Sequence, residues 1–240
     1  MKKPHFTWRQ CAQVAVVLGC ALALKLFYAT ASADALRWIL TPTTALVEAV
    51  TGVPFVYEAH AGYLSRERGF LIAASCAGVN FLFIAFLVVT LPRLWRGRLA
   101  WRFVPVAAVL AYLVTLMANA ARICLALWWP RVPGDWLTHA QLHRCEGIMV
   151  YFGFLLLLFV VSERMRAETT LVFPLLLYYA ATLGLPLLRR ADRQGSDFGE
   201  HALAVLLMPL LLLLPLITFR LFRQTREIDR DFSKADGSTN

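Results

Sequence analysis

The stretch Glu67–Val89, ERGFLIAASCAGVNFLFIAFLVV, decides how this chain is read. From Phe81 onward it is apolar without a break. Just before that it gathers Ser75, Cys76, Gly78 and Asn80 within about two turns. A helix that only faces lipid has no use for an alcohol, a thiol, a glycine and an amide together. This end therefore either packs closely against other helices or holds chemistry at a membrane surface.

Outward from this stretch the apolar character recurs. Of 240 residues, 59% are hydrophobic and 16% charged, where a soluble domain has about half and about a quarter. Runs near the roughly 20 residues that cross a bilayer follow one another along the chain. The expectation is an all-α polytopic membrane protein with about six transmembrane helices, at about 12–30, 71–91, 103–129, 147–162, 171–188 and 202–219. Residues 1–219 then form a single integral membrane domain, and 220–240 a charged cytoplasmic tail. Lys2, Lys3 and Arg9 resemble the basic start of a secretion signal, but the apolar run after them is too long for a cleavable one. It reads as a first helix that stays.

The formal charge of +9 does not point to nucleic acid, because Lys and Arg sit in short loops between spans. With the N-terminus inside, fourteen of them fall on inner segments and eight on outer ones. That bias places both termini in the cytoplasm. The longest outer loop, about 32–70, is expected to be partly structured. ALRWILTPTTALVEAVTG has helical spacing and reads as a helix lying flat on the membrane. VPFVYEAHAGYLSRERGF alternates and breaks at Ala61-Gly62, as a hairpin does.

Under this topology Cys76 lies at the outer start of the second span. Arg122 lies nineteen residues into the third, roughly 28 Å along a helix, and so approaches the same surface. His139 and His143 precede the fourth. A cysteine, an arginine and a histidine from three helices thus share one depth. Cys11, Cys20 and Cys124 read as small packing residues, and Lys25 as a snorkelling cation. Ala77 and Gly78 beside Cys76 allow close backbone approach, with Ser75 and Asn80 adding polar groups. An arginine inside a membrane marks a functional site by default.

The trio fits thiol-based acyl transfer. A thiolate is the nucleophile, favoured by a cation or a helix N-terminus. Histidine titrates near neutrality and can protonate a leaving amine. Arginine, always charged, can hold a developing oxyanion. No metal or other cofactor is expected. Three other readings stand beside this one: a small-molecule or ion transporter with Arg122 as its binding charge, a metal-dependent protease using His139, His143 and Glu146 with Cys145 nearby, and a structural assembly subunit with no chemistry.

At these residues the chain resembles a known family, the exosortases and archaeosortases. The resemblance rests on SCAGVN at Ser75–Asn80, NAARI at Asn119–Ile123 and HRCEG at His143–Gly147, in that order, and covers roughly residues 53–161. SCAGVNF and LHRCEGIMVYF are most similar to the subgroup called exosortase K. The resemblance implies a membrane cysteine protease and transpeptidase with Cys76 as nucleophile, Arg122 as stabiliser and His143 as acid and base. Ser75, Gly78, Asn80, Asn119 and Gly147 are implied as supporting residues. It further implies substrate proteins with a C-terminal tail of short motif, membrane helix and basic cluster. These would be cut at the periplasmic face of a bacterial inner membrane.

Overall fold

The computed structural model describes residues 8–128, 139–162, 172–184, 199–215 and 218. It is mostly helical, and four helices are long and apolar enough to cross a membrane. The first, α1 (Trp8–Thr30), buries Gln13, Val17 and Ala21, one residue per turn along a single stripe. Its other faces expose Leu18, Leu22, Leu26 and Phe27. A helix at a water-facing surface would carry polar residues there. At its two ends, the Gln13 side chain donates to the Leu99 carbonyl at 2.6 Å and the Tyr28 hydroxyl to the Ala74 carbonyl at 3.5 Å. These contacts fix which loops share an end of the bundle.

Helix α2 (Arg37–Thr51) ends at Gly52, whose left-handed φ of 70° lets its N–H return to the Glu48 carbonyl. Pro42 lies inside α2 and has no N–H to give the carbonyl four residues back, that of Trp38. The Tyr112 hydroxyl from another helix donates to that carbonyl at 2.7 Å instead, and the Trp38 and Tyr112 rings stack at 5.7 Å. The expected helix forms, and α2 packs against the long helix that carries Tyr112; that helix covers its apolar face of Ile39, Leu40 and Val47.

The alternating segment forms a three-stranded antiparallel sheet, β1 (Val56–Glu58), β2 (Gly62–Ser65) and β3 (Phe70–Ile72), in that order. The hairpin turns at 59–61, as the break at Ala61-Gly62 indicated, and a third strand joins it. Gly62 has φ 122°, and a Cβ there would lie 2.3 Å from the Ile72 carbonyl oxygen, so only glycine fits. Asp34 ties the sheet back to the bundle. It accepts from the Tyr57 hydroxyl and meets His60 Nδ1 at 2.6 Å. The hydrogen bond from Tyr57 is the main reason the Asp34 carboxyl is held below the usual carboxylate range.

The second span does not begin as a continuous helix. Ala74–Ala77 form a 3-10 turn, and helix α3 (Val79–Trp95) starts only after Gly78. Helices α4 (Phe103–Trp128) and α5 (His139–Ser162) complete the four. Past them lie two shorter apolar helices. One, α6, is Val172–Tyr179 and widens into a π turn at Ala180–Gly184. The other, α7, is Gly199–Pro215. These overlap the expected fifth and sixth spans and, among the described residues, each is shorter than the four long helices. The 220–240 tail lies outside the described residues.

Two apolar clusters share α4. One fills the centre around α3, with Val88, Val89, Phe152 and Phe159. The other joins α2, the sheet and the 3-10 turn to Leu116, Ala120 and Ile123. At the α3–α4 end, Arg93 donates to the Val89 carbonyl and to the Ser162 carbonyl at the end of α5, both at 3.0 Å. A cation at a helix C-terminus is stabilising there.

Candidate active site

At the opposite end of the bundle, the turn carrying Cys76 is built from both sides. β3 ends at buried Ile72, and the Cys76 N–H closes the turn on the Ala73 carbonyl at 2.8 Å. Gly78 then takes φ 65° and passes the chain into α3, where its carbonyl accepts from Leu82 N–H. A Cβ at Gly78 would sit 2.4 Å from Asn119 Oδ1. Glycine is required twice there, once by the backbone and once by the amide.

That amide is what holds the turn. Asn119, buried in α4, donates from Nδ2 to the Ala77 carbonyl at 2.8 Å. Its Oδ1 accepts from the Tyr151 hydroxyl of α5 at 2.6 Å. The same hydroxyl accepts from Arg122 Nη1 at 3.0 Å. Arg122 Nη2 stands 3.4 Å from His143 Nε2. A guanidinium only donates, so Nε2 accepts and the neutral imidazole carries its proton on Nδ1. That nitrogen faces Glu146 Oε2 at 3.9 Å. A chain of polar groups thus runs from Glu146 through His143, Arg122, Tyr151 and Asn119 to the carbonyl next to Cys76.

Arg122 is oriented on several sides. Its guanidinium lies over the Tyr151 ring at 5.5 Å, while that ring stacks on Phe81 at 5.1 Å. Its Nε is buried without a hydrogen-bond partner among the described residues. Buried donors in native proteins rarely stay unpaired. Gly147 differs from Gly78, because a Cβ there would meet Arg122 Cδ at an ordinary 3.7 Å.

A cavity of about 460 Å³ opens in front of this network. Tyr28, Ser75, Gly78, Asn80, Arg122, His143 and Gly147 line it, with Tyr178, Thr182 and His201 from α6, the π turn and α7. Of the residues singled out in the sequence, Asn119 lies behind the lining. Cys76 is half-buried against the second cluster and does not itself line the cavity; Ser75 and Gly78 on either side of it do. His139 starts α5, but its side chain lies outside the described residues. Among the described residues no three His, Cys, Asp or Glu side chains gather as a metal would need.

Sequence reading missed Tyr151, the hub of the network. The signal was present: His143, Gly147 and Tyr151 recur every fourth residue and so share a helix face. Tyr28, Thr182 and His201 had no such signal, since only the packing of distant helices brings them to the cavity. No protein-family model, curated protein or solved structure matches the chain.

Proposed function

We propose that the protein is a membrane-embedded cysteine peptidase or transpeptidase of the exosortase type. It acts on C-terminal sorting tails of exported proteins through a thioester on Cys76. The observation that carries this reading is the hydrogen-bonded chain from His143 through Arg122, Tyr151 and Asn119 to the turn that holds Cys76. A packing cysteine needs no such support from two other helices.

In this reading Cys76 Sγ turns into the cavity between Ser75 and Gly78 and gives its proton to His143 Nε2, which lets go of Arg122 Nη2 as it does so. The sulfur attacks the scissile carbonyl carbon, and the oxygen takes the negative charge. Arg122 faces that oxygen; each Nη nitrogen carries two hydrogens and uses one within the network, leaving donors for it. The C–N bond then breaks, and the leaving amine takes the proton from His143. Water or an amine attacks the thioester and passes its proton to His143. The C–S bond breaks, and the thiol is restored with that proton.

The exposed apolar faces of α1, α4 and α7 support lipid around the bundle. With six spans in a bacterial inner membrane, the Lys and Arg bias supports both termini in the cytoplasm and the cavity at the periplasmic face. There a substrate helix and the enzyme share one bilayer, and the cut site meets the interface.

The test is a tagged substrate with a sorting tail, co-expressed with wild type, Cys76→Ala or Cys145→Ala enzyme. Loss of processing with Cys76→Ala alone, at equal enzyme abundance, is the expected result. Processing that survives Cys76→Ala removes the nucleophile and brings forward transport through the Arg122 cavity.

A further inference from the structure

The end of the bundle away from Cys76 holds a second cavity, of about 390 Å³, in the turn between α3 and α4. Arg93, Arg98 and Arg102 line it together with Ala100, Phe103 and Val106. Three cations around one small cavity repel one another, so their placement calls for an anion. Arg93 is committed to the Val89 and Ser162 carbonyls and lies over the Phe103 ring at 4.2 Å, contributing its charge from a fixed place. Arg98 and Arg102 are exposed, and no carboxylate among the described residues pairs with either.

The surroundings narrow the anion. Trp95 and Trp101 flank the turn, 67% and 49% exposed, the arrangement tryptophan takes where hydrocarbon meets headgroups. One wall of the cavity continues onto Phe103 and onto Val106, which is 55% exposed, so the ligand has an apolar part. We propose that this turn binds the phosphate of an anionic phospholipid headgroup. Arg98 and Arg102 fork onto its oxygens, and the first carbons of an acyl chain lie along Phe103 and Val106. A free phosphate has no use for the apolar wall. A zwitterionic headgroup would bring its own cation against Arg93. The site stands apart from the acyl-transfer reading and does not depend on it.

The test uses the full chain purified in a neutral detergent, with bound lipid followed by native mass spectrometry and by the shift of its unfolding temperature. Phosphatidylglycerol, phosphatidylcholine and inorganic phosphate are the three probes. Phosphatidylglycerol is expected to bind saturably, and the Arg98→Gln/Arg102→Gln variant about 25-fold more weakly, roughly fivefold for each arginine. Equal binding of phosphatidylglycerol to wild type and variant overturns the proposal, as does equal binding of phosphatidylcholine. Full displacement of the lipid by inorganic phosphate shows a free-anion site and overturns the lipid assignment. Should the double Gln variant fail to fold, Arg98→Lys/Arg102→Lys keeps the charge and removes the fork. Weaker binding by that variant supports the site; binding equal to wild type reduces it to surface charge and overturns it.

Discussion

Replacing Tyr151 by Phe removes one oxygen from the middle of the polar network and nothing else. The ring keeps its stack on Phe81. Arg122 Nη1 loses its acceptor, and Asn119 Oδ1 loses its donor. A neutral hydrogen bond is worth about 1 kcal/mol net and one to a charged group about 1.5–3. Arg122 is only partly buried, so water replaces some of the second. The expected cost is about 2 kcal/mol, or roughly 4–8 °C in unfolding temperature for a chain of this size. The sharper measurement is a double-mutant cycle on substrate processing. If Tyr151 acts by orienting Arg122, Tyr151→Phe slows processing in wild type but adds little once Arg122 is Ala. Additive losses in the double variant would refute the orienting role, and an unchanged unfolding temperature would refute the network as drawn.

Four further outcomes follow from geometry. Gly78→Ala forces a left-handed backbone, costing about 1–2 kcal/mol, and pushes on the Asn119 amide, whereas Gly147→Ala, with ordinary contacts, is tolerated; thermal unfolding of the two variants in parallel checks this. Tyr112→Phe removes an exposed hydrogen bond to the Trp38 carbonyl and costs about 0.5–1.5 kcal/mol, a loss that shrinks when Pro42→Ala restores the helical N–H. Gly62→Ala, with its Cβ against the Ile72 carbonyl, disrupts the sheet and raises amide exchange in β2 and β3 while the central helices stay protected. The Asp34 carboxyl titrates lower folded than unfolded, so its contribution is present above about pH 4 and lost as pH falls through its depressed value. Amide protection around Tyr57, taken relative to the intrinsic exchange rate at each pH, is therefore expected to fall in acid for wild type and to be low at every pH in Asp34→Asn.

Composition and run length carried much of the architecture, because four apolar stretches are long enough to speak for themselves. The start of α3 was not legible. Nothing in the SCAGVN pattern says where the helix begins, and the positive φ of Gly78 is what separates the 3-10 turn from α3. Periodicity does not record a backbone angle. The seat of α2 was hidden for a related reason. Pro42 announces a missing hydrogen bond, but nothing near it in sequence says that Tyr112 supplies the replacement. At the site, Arg122 stood out as a cation in an apolar helix and His143 as a histidine just before the next span, and the structure brings them to 3.4 Å. Tyr151 was passed over because an aromatic residue in an apolar helix reads as packing unless its spacing from His143 is counted.

The hydrogen bond from Tyr112 to Trp38 spans 74 residues and sets an order of events during synthesis. The Trp38 carbonyl has no helical partner from the moment α2 is made, and its tyrosine leaves the ribosome only later. Until α4 arrives, water must serve that oxygen, and the apolar face of α2 has no seat. An apolar face that forms early is thus closed only by a helix made later. A chain that stops before α4 leaves the Ile39, Leu40 and Val47 face of α2 without the helix it packs against.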